Sequence, residues 1–306
     1  MDRAVAELAA KQLDAAEKDL RQAKALDPKL PEAAYDLGYL ALARGNEAEA
    51  EREFLRAVAL RPKYAKAHLQ LARLYQNLGD QTFDDATFRS KLSYATYHRS
   101  GFGTRFMDYD NDGMLDLFMA NGHVLDNIQR YHADTQYAEP KLMFRNTGHG
   151  VFENVSDSLG PDFQLPRVSR GAAVGDFDND GDLDILVNNS GQTPQLLRND
   201  GGNTNRWLEI LLIGTKSNRD GVGARLKLVA GDLTLYDQRK GGMSYQSAQD
   251  PRLHFGLGCR SRVDTVEVVW PSRTVTKLTN LKSNQIVAVK EGVGLVERPF
   301  PQVVAE

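Results

Sequence analysis

Two nine-residue runs carry the chemistry of this chain. The first is Asp108-Tyr109-Asp110-Asn111-Asp112-Gly113-Met114-Leu115-Asp116. The second is Asp176-Phe177-Asp178-Asn179-Asp180-Gly181-Asp182-Leu183-Asp184. Both place Asp at positions 1, 3, 5 and 9 and Gly at position 6. Alternate carboxylates converge on one point only if the backbone wraps around it, and Gly permits the bend. Such a ring of hard oxygens suits Ca²⁺, which takes ligands at roughly 2.3–2.6 Å. The pattern follows an EF-hand loop through position 6 and then departs from it. The twelfth position holds Met119 in the first run and Val187 in the second, where an EF-hand needs Glu. Asp, Asn and Gly are also ordinary turn residues. Two runs with one spacing and this charge density, which would repel itself without a cation, argue against a plain acidic turn.

The elements that must hold these loops are strands. Short apolar runs flank each loop, Gly101–Met107 and Leu117–Ala120 around the first, Ala172–Gly175 and Ile185–Asn188 around the second. They have strand length, not helix length. Asp116 and Asp184 then stand in for the distal Glu of an EF-hand. Similarity between the two units extends further, since Leu142-Met143-Phe144-Arg145-Asn146 matches Gln195-Leu196-Leu197-Arg198-Asn199. The segment from Phe152 to Ser156 reads as the strand that opens the second unit, as the segment from Phe83 to Thr87 does for the first. Between the units lies an insertion from His123 to Pro140, read as a surface loop. Its His123 and His132 are too few for a zinc site of three or four ligands.

Upstream, residues 1–80 are rich in Ala, Leu, Glu, Lys and Arg, all good helix formers. Ala16, Leu20, Ala23, Leu26 and Pro28 recur as Ala50, Phe54, Ala57, Leu60 and Pro62. That period of about 34 residues is the tetratricopeptide spacing. It predicts helices near 2–10, 13–26, 31–44, 47–60 and 65–78, with Tyr35, Tyr39, Arg73 and Tyr75 as candidate groove residues for a protein partner. Downstream, residues 206–295 show six strand-like runs with Gly, Asn and Asp turns, which fits a small all-β sandwich. Those runs are Trp207–Ile213, Ala224–Val229, Leu233–Gln238, Leu253–Leu257, Val263–Trp270 and Gln285–Val289. Residues 296–306 read as a tail.

The chain has 306 residues, a net charge of −3 and one cysteine. Near-balanced charge calls for no nucleic acid or anionic membrane. No apolar run of about 18 residues is present to span a bilayer, and no signal peptide is visible at the start. Cys259 has no motif around it and reads as a small core residue. No nucleophile elbow, zinc-protease, phosphate-loop or dinucleotide fingerprint occurs, so no enzyme activity is expected.

Two resemblances add to this. Gly103-Thr104-Arg105-Phe106-Met107 before the first loop and Gly171-Ala172-Ala173-Val174-Gly175 before the second are similar to FG-GAP/VCBS repeats of integrin-type β-propellers. That resemblance implies four-stranded blades, with Ca²⁺ held by Asp108, Asp110, Asp112 and Asp116, and by Asp176, Asp178, Asp180 and Asp184. The position-7 carbonyls of Met114 and Asp182 would join them. Two blades cannot close a propeller, which needs four to eight. The stretch Gly214–Ala224 resembles the ASPIC/UnbV domain, as do Gly242-Met243-Ser244-Tyr245-Gln246-Ser247, Leu253-His254-Phe255-Gly256-Leu257-Gly258 and Val268-Val269-Trp270-Pro271-Ser272. In that domain Arg219, Asp220, Ser244, Tyr245, Gln246, Asp250, Arg252 and His254 could line a polar patch, though turn chemistry and buried hydrogen bonds are the favoured reading. Together these features resemble the cartilage acidic protein-like family.

The expected architecture is therefore a multidomain α + β chain. A helical tetratricopeptide array (1–80) precedes two incomplete propeller-type repeats (81–205) and an ASPIC/UnbV-like β domain (206–295). The expected function is a calcium-binding, non-enzymatic scaffold that recruits a protein through the helices. A glycan or matrix polymer on the β face and self-association through open blade edges are further expected partners. A glycan-processing hydrolase is the alternative. The family resemblance implies a secreted, periplasmic or cell-surface setting.

Overall fold

The computed structural model describes residues 13–44, 46–60, 75–77, 83–86, 89–96, 99–131, 135–201 and 204–297. Contacts divide the chain into two units, Met1–Tyr97 and His98–Glu306.

Among the described residues of the first unit, α1 (Leu13–Leu26), α2 (Pro31–Ala43) and α3 (Glu47–Leu60) follow one another, and a single helical turn lies at Ser93–Thr96. The small residues picked out by the repeat spacing lie where helices meet. Ala16 and Leu20 of α1 are fully buried against Leu37 and Leu40 of α2. The opposite side of α2 buries Ala34, Tyr35 and Ala41 against Ala50, Phe54 and Ala57 of α3. Gly38 is required there, because a Cβ would sit 2.7 Å from the Phe54 ring. Lys24 of α1 reaches both carboxylate oxygens of the buried Glu53 on α3 at 2.7–2.8 Å. Tyr35 is thus a core residue, its ring 5.6 Å from that of Phe54, and not part of an open groove.

The helical array does not continue as the spacing predicts. Tyr75–Asn77, placed in a helix over 65–78, forms strand β1 and pairs antiparallel with β2 (Phe83–Asp85). Tyr, Asn, Gly and Asp gather at this point and favour strand or turn over helix. The predicted helix over 2–10 and candidate groove residue Arg73 lie outside the described residues. Phe83–Asp85 is a strand, as expected, but its partner is β1 and it opens no blade.

The second unit is β. Strands β3 (Gly101–Met107), β4 (Asp116–Asn121), β5 (Leu142–Asn146) and β6 (Phe152–Asn154) form one antiparallel sheet in sequence order. Strands β7 (Ser169–Gly175), β8 (Asp184–Asn189) and β9 (Gln195–Leu197) form a second. Phe152–Asn154 was expected to open the second unit. It instead closes the first sheet, pairing Phe144 with Asn154 and Asn146 with Phe152. A strand just after a hairpin turn pairs back most readily with the strand it left. The two sheets share a core of Met107, Phe118, Ala120, Met143, Phe163, Ala172, Val174, Leu183, Ile185 and Val187. The helical turn Pro161–Gln164 supplies Phe163, whose ring meets Phe118 edge-on at 6.0 Å.

The remaining strands make a sandwich of two four-stranded sheets: β13-β10-β16-β17 and β12-β11-β14-β15. They are β10 (Arg206–Ile213), β11 (Arg225–Ala230), β12 (Leu233–Gln238), β13 (Leu253–Gly258), β14 (Arg262–Val269), β15 (Val275–Lys282), β16 (Gln285–Lys290) and β17 (Gly294–Val296). Six were expected, and β15 and β17 are additional. Inward-facing Leu, Val, Ile and Phe side chains from both sheets, with Trp270, form one core. Buried Glu291 pins the loop between β10 and β11, accepting backbone N–H bonds from Thr215, Lys216 and Ser217 at 2.8 Å each. Burial opposes its charge, but Ser272 and Ser217 hydroxyls and these N–H groups push its carboxyl down to about 2. Cys259 was expected in the core but is exposed. It follows Gly258, whose φ of 58° turns the chain out of β13.

Candidate metal loops and the sandwich that holds them

Each acidic run joins the first two strands of its sheet. Met107 pairs with Asp116 across the mouth of loop 1 (108–116). Gly175 pairs with Asp184 across loop 2 (176–184). The backbone turns left-handed at the same two places in both loops. Asn111 and Gly113 have φ of 58° and 93°; Asn179 and Gly181 have 62° and 99°. Gly at position 6 was legible as the bend. The second left-handed residue is Asn, which tolerates that region better than most side chains.

This path brings Asp108, Asp110 and Asp116 together, each offering an oxygen within 4.8 Å of the others. Asp176, Asp178 and Asp184 meet in the same way. Position-1 and position-9 carboxylates are also held by the backbone. Asp108 accepts from the N–H of Asp112 and Gly113, and Asp176 from those of Asp180 and Gly181, all at 2.9–3.1 Å. Asp116 accepts from Tyr109 and Asn146, and Asp184 from Phe177 and Asn199. Asp112 and Asp180 stand outside the trios, and one oxygen of each caps the N–H two residues on, at Met114 and Asp182. Position 3 differs from all of these. Asp110 Oδ1 and Asp178 Oδ1 are shielded from solvent and accept no hydrogen bond.

The electrostatics are those of crowded acids. Burial pushes Asp108 up to about 8, against the N–H of Gly113 and with help from the neighbouring Asp112 and Asp116. Burial raises Asp116 and Asp176 to about 7 and also raises Asp110, Asp180 and Asp184. A buried oxygen without a donor from the chain, repeated at the same position of two loops, fits a cation. The donor set is all oxygen, which selects Ca²⁺ or Mg²⁺ over softer metals.

The sandwich contributes the rest of the site, and sequence reading missed its central residue. Glu209 on β10 is 1% exposed. It meets Arg252 Nη1 at 2.8 Å and His254 Nδ1 at 3.5 Å. Arg252 also bonds Asp250 through Nε at 3.0 Å. From this cluster Arg252 Nη1 donates to Asn179 Oδ1 at 2.6 Å, and Nη2 donates to the carbonyl of Asp176. His254 Nε2 meets Asn111 Oδ1 at 2.6 Å. The two left-handed asparagines are thus held by Arg252, just before β13, and by His254, its second residue. Glycines make the fit close. A Cβ on Gly256 would lie 2.0 Å from Asp108 Oδ2, and one on Gly181 would lie 1.8 Å from the Trp207 ring. Glu209 stands in an apolar run that reads only as a buried strand, so nothing local marks it.

The other polar-patch residues divide. Tyr245 packs edge-on against Phe102 at 5.3 Å, and Ser244 bridges to Ser247. Gln246 lies between them with φ of 48°. Arg219 and Asp220 are exposed on the loop that Glu291 pins. Next to this patch Gln249 covers the open edge of β7. Its Oε1 accepts the Val174 N–H at 2.7 Å, its Nε2 donates to the Ala172 carbonyl at 3.2 Å, and the Asp250 N–H donates to the Val174 carbonyl. A cavity of about 620 Å³ opens between β3, β12 and β13, lined in part by Arg105, Asp237, Arg239 and Arg252. In the insertion, His123 Nδ1 accepts the Leu125 N–H at 3.0 Å and serves a turn; His132 lies outside the described residues.

The family models fit this picture. Residues 214–296 match the ASPIC and UnbV model, and residues 135–187 match the FG-GAP-like repeat model. The chain carries both domains. The matched repeat contains loop 2, and loop 1 lies upstream of it with the same geometry. Among curated proteins, cartilage acidic protein 1 of Mus musculus is 28% identical over 208 residues, 64% of this chain and 28% of its own length. The Homo sapiens protein is 28% identical over 197 residues, 60% of this chain and 27% of its own. The Xenopus tropicalis protein is 30% identical over 175 residues, 54% of this chain and 24% of its own. These matches support kinship with the cartilage acidic protein family. The chain spans about a quarter of the length of those relatives. No helix among the described residues is long and apolar enough to cross a membrane.

Proposed function

We propose that this chain is a non-enzymatic interaction module whose β repeats are stabilised by Ca²⁺. The observation that carries the reading is the pair of trios, each with one buried, donor-less oxygen at position 3. Asp108, Asp110 and Asp116 would hold one cation, and Asp176, Asp178 and Asp184 the other. Asp112, Asp180 and the carbonyls of Met114 and Asp182 complete the proposed ligand sets. The cation neutralises mutual repulsion and fixes each sheet's first hairpin. Extracellular calcium modules bind at roughly 10⁻⁴–10⁻³ M, so the reading places the module outside the cytosol.

As partners we propose a protein, for the helical unit with its tetratricopeptide-like spacing, and a glycan or matrix polymer, for the cleft beside Arg105 and Arg239. The test of the calcium reading is thermal unfolding in EDTA and across a Ca²⁺ titration. One cation at a hundredfold excess over its Kd adds about 2.7 kcal/mol to stability. The midpoint should climb with Ca²⁺ in the wild type and climb less in Asp178→Asn/Asp184→Asn. A midpoint that ignores millimolar Ca²⁺ would return the loops to acidic turns.

A further inference from the structure

We propose that the two loops load their cations as a coupled pair, with Asn111, Asn199, Arg252 and His254 as the residues that couple them. This rests on the reading of the loops as cation sites. The argument starts from hydrogen bonds that cross from one loop to the other. Asn111 of loop 1 donates through Nδ2 to the Gly181 carbonyl at 3.0 Å and to Asp182 Oδ1 at 3.2 Å, both in loop 2. Asn199 has two roles. Its backbone N–H holds Asp184 Oδ1 of loop 2 at 2.8 Å, while its side-chain Nδ2 donates to the Tyr109 carbonyl of loop 1 at 2.7 Å. Asn205, just before β10, separately ties loop 1 to the sandwich by donating to the Asp110 carbonyl at 2.8 Å.

The counterpart of Asn199 in the first sheet shows that the crossing is not a necessity of the repeat. Asn146 holds Asp116 through its N–H at 2.7 Å, but its Nδ2 stays at home on the Leu115 carbonyl of its own loop. Of this matched pair, Asn199 reaches across and Asn146 does not. The sandwich closes the circuit. His254 on Asn111 and Arg252 on Asn179 both return to the one carboxylate of Glu209. Asn111, Asp182 and Glu209 are at most 1% exposed, so solvent offers no replacement for a bond that breaks.

Neither loop can therefore reshape around a cation without moving groups the other loop uses. A cation at one loop orders Asn111, Tyr109 and Asn199 and leaves less ordering to be done at the other. That is positive coupling without a large structural change. It must be reciprocal, because each cation changes the other's affinity by the same factor.

The test is calorimetric titration of the metal-free full chain with Ca²⁺, read beside near-UV circular dichroism of each variant. The wild type should bind two Ca²⁺ with a Hill coefficient above 1. Disabling loop 2 with Asp178→Asn/Asp184→Asn should weaken the remaining site at least about fivefold, within the usual range of coupling between sites. Disabling loop 1 with Asp110→Asn/Asp116→Asn should weaken loop 2 by a similar factor. Asn199→Ala keeps the N–H to Asp184 and removes only the crossing amide, so it should bring the Hill coefficient towards 1. It should also reduce the effect of the loop 2 knockout on loop 1, leaving the share carried by Asn111. Two independent sites in the wild type, each indifferent to the loss of the other, would overturn the coupling and leave the calcium reading standing. No heat together with no rise in the thermal midpoint up to 20 mM Ca²⁺ (about twentyfold above the weak end of extracellular sites) would overturn both. Should a double variant lose its near-UV signal, the Hill coefficient of wild type against Asn199→Ala still decides.

Discussion

Loop 1 leaves Met114 36% exposed at position 7, where loop 2 buries Asp182 completely. The spacing, the left-handed turns and the carboxylate trios are otherwise the same in both. The difference lies in what surrounds them. Loop 2 is packed under Trp207 and gripped by Arg252, while loop 1 is approached by Gly256 and His254. The shared positions are those that gather oxygens. The positions that differ answer to neighbours, and Asp182 is used as an acceptor for loop 1, not as a surface acid. A repeated motif can thus keep one chemistry while its copies take unequal mechanical roles.

The largest test of that inequality is Arg252→Met. It leaves Glu209 buried with its charge uncompensated, a loss of about 3–5 kcal/mol when one partner of a buried pair is removed. Urea unfolding should show it, and calcium affinity should fall more at loop 2 than at loop 1. Equal losses at the two loops would break the distinction. Next come paired glycine variants. Gly181→Ala meets the Trp207 ring at 1.8 Å with φ at 99° and should cost about 3 kcal/mol or more, since overpacking and strain combine. Gly113→Ala has φ of 93° but its nearest neighbour is a Leu233 methyl at 3.2 Å. It should cost only about 1–2 kcal/mol, the strain of a left-handed Ala. Similar urea midpoints for the two variants would remove the contrast in packing.

A control away from both loops is Glu139, fully buried, with Oε2 on the Ser100 N–H at 2.8 Å and Oε1 without a hydrogen bond. Burial raises its carboxyl to about 7, against the Ser100 N–H and the charges of Arg99 and Arg170. The folded state therefore holds the proton more tightly than the unfolded one. Stability from this group is full below the ordinary value of 4.5 and is lost as pH rises through 7. In EDTA, Glu139→Gln should flatten that fall by an amount on the order of 2 kcal/mol between pH 5 and 8. The smallest effect is expected at exposed Cys259. Cys259→Ser should shift stability by no more than about 0.5 kcal/mol, and the native thiol should react with a thiol reagent without prior unfolding.

Much of the site was legible because its logic is local. Alternating Asp residues with Gly at position 6 state the loop, and the flanking apolar runs state the strands. The supporting shell was not legible, for a physical reason. Glu209 looks like an interruption in an apolar strand until Arg252 and His254, distant in sequence, are folded onto it. Asn111 and Asn179 look like turn residues, and their amides acquire meaning only from His254, Arg252 and, for Asn111, the facing loop 2. Strand order failed where it depended on partner choice. Phe152–Asn154 is correctly a strand, yet nothing in its composition says which sheet it joins. Tyr75–Asn77 shows periodicity overruled, since the helical spacing runs on into residues that pair as β. Helix contacts were read better, because Ala, Gly and Leu at fixed spacing already describe how closely two helices approach.

Gln249 has a consequence for how the molecule behaves among its own copies. A sheet with an unpaired strand is a template, and the next chain of the same sequence is the molecule best shaped to extend it. Here a single side-chain amide offers β7 one donor and one acceptor, as a neighbouring strand would, and then stops. The backbone N–H of Asp250 adds one bond to the Val174 carbonyl, and the chain then bends away at residues 251–252. An incoming strand would first have to displace Gln249 and the Asp250 N–H before it could pair with Val174 of β7.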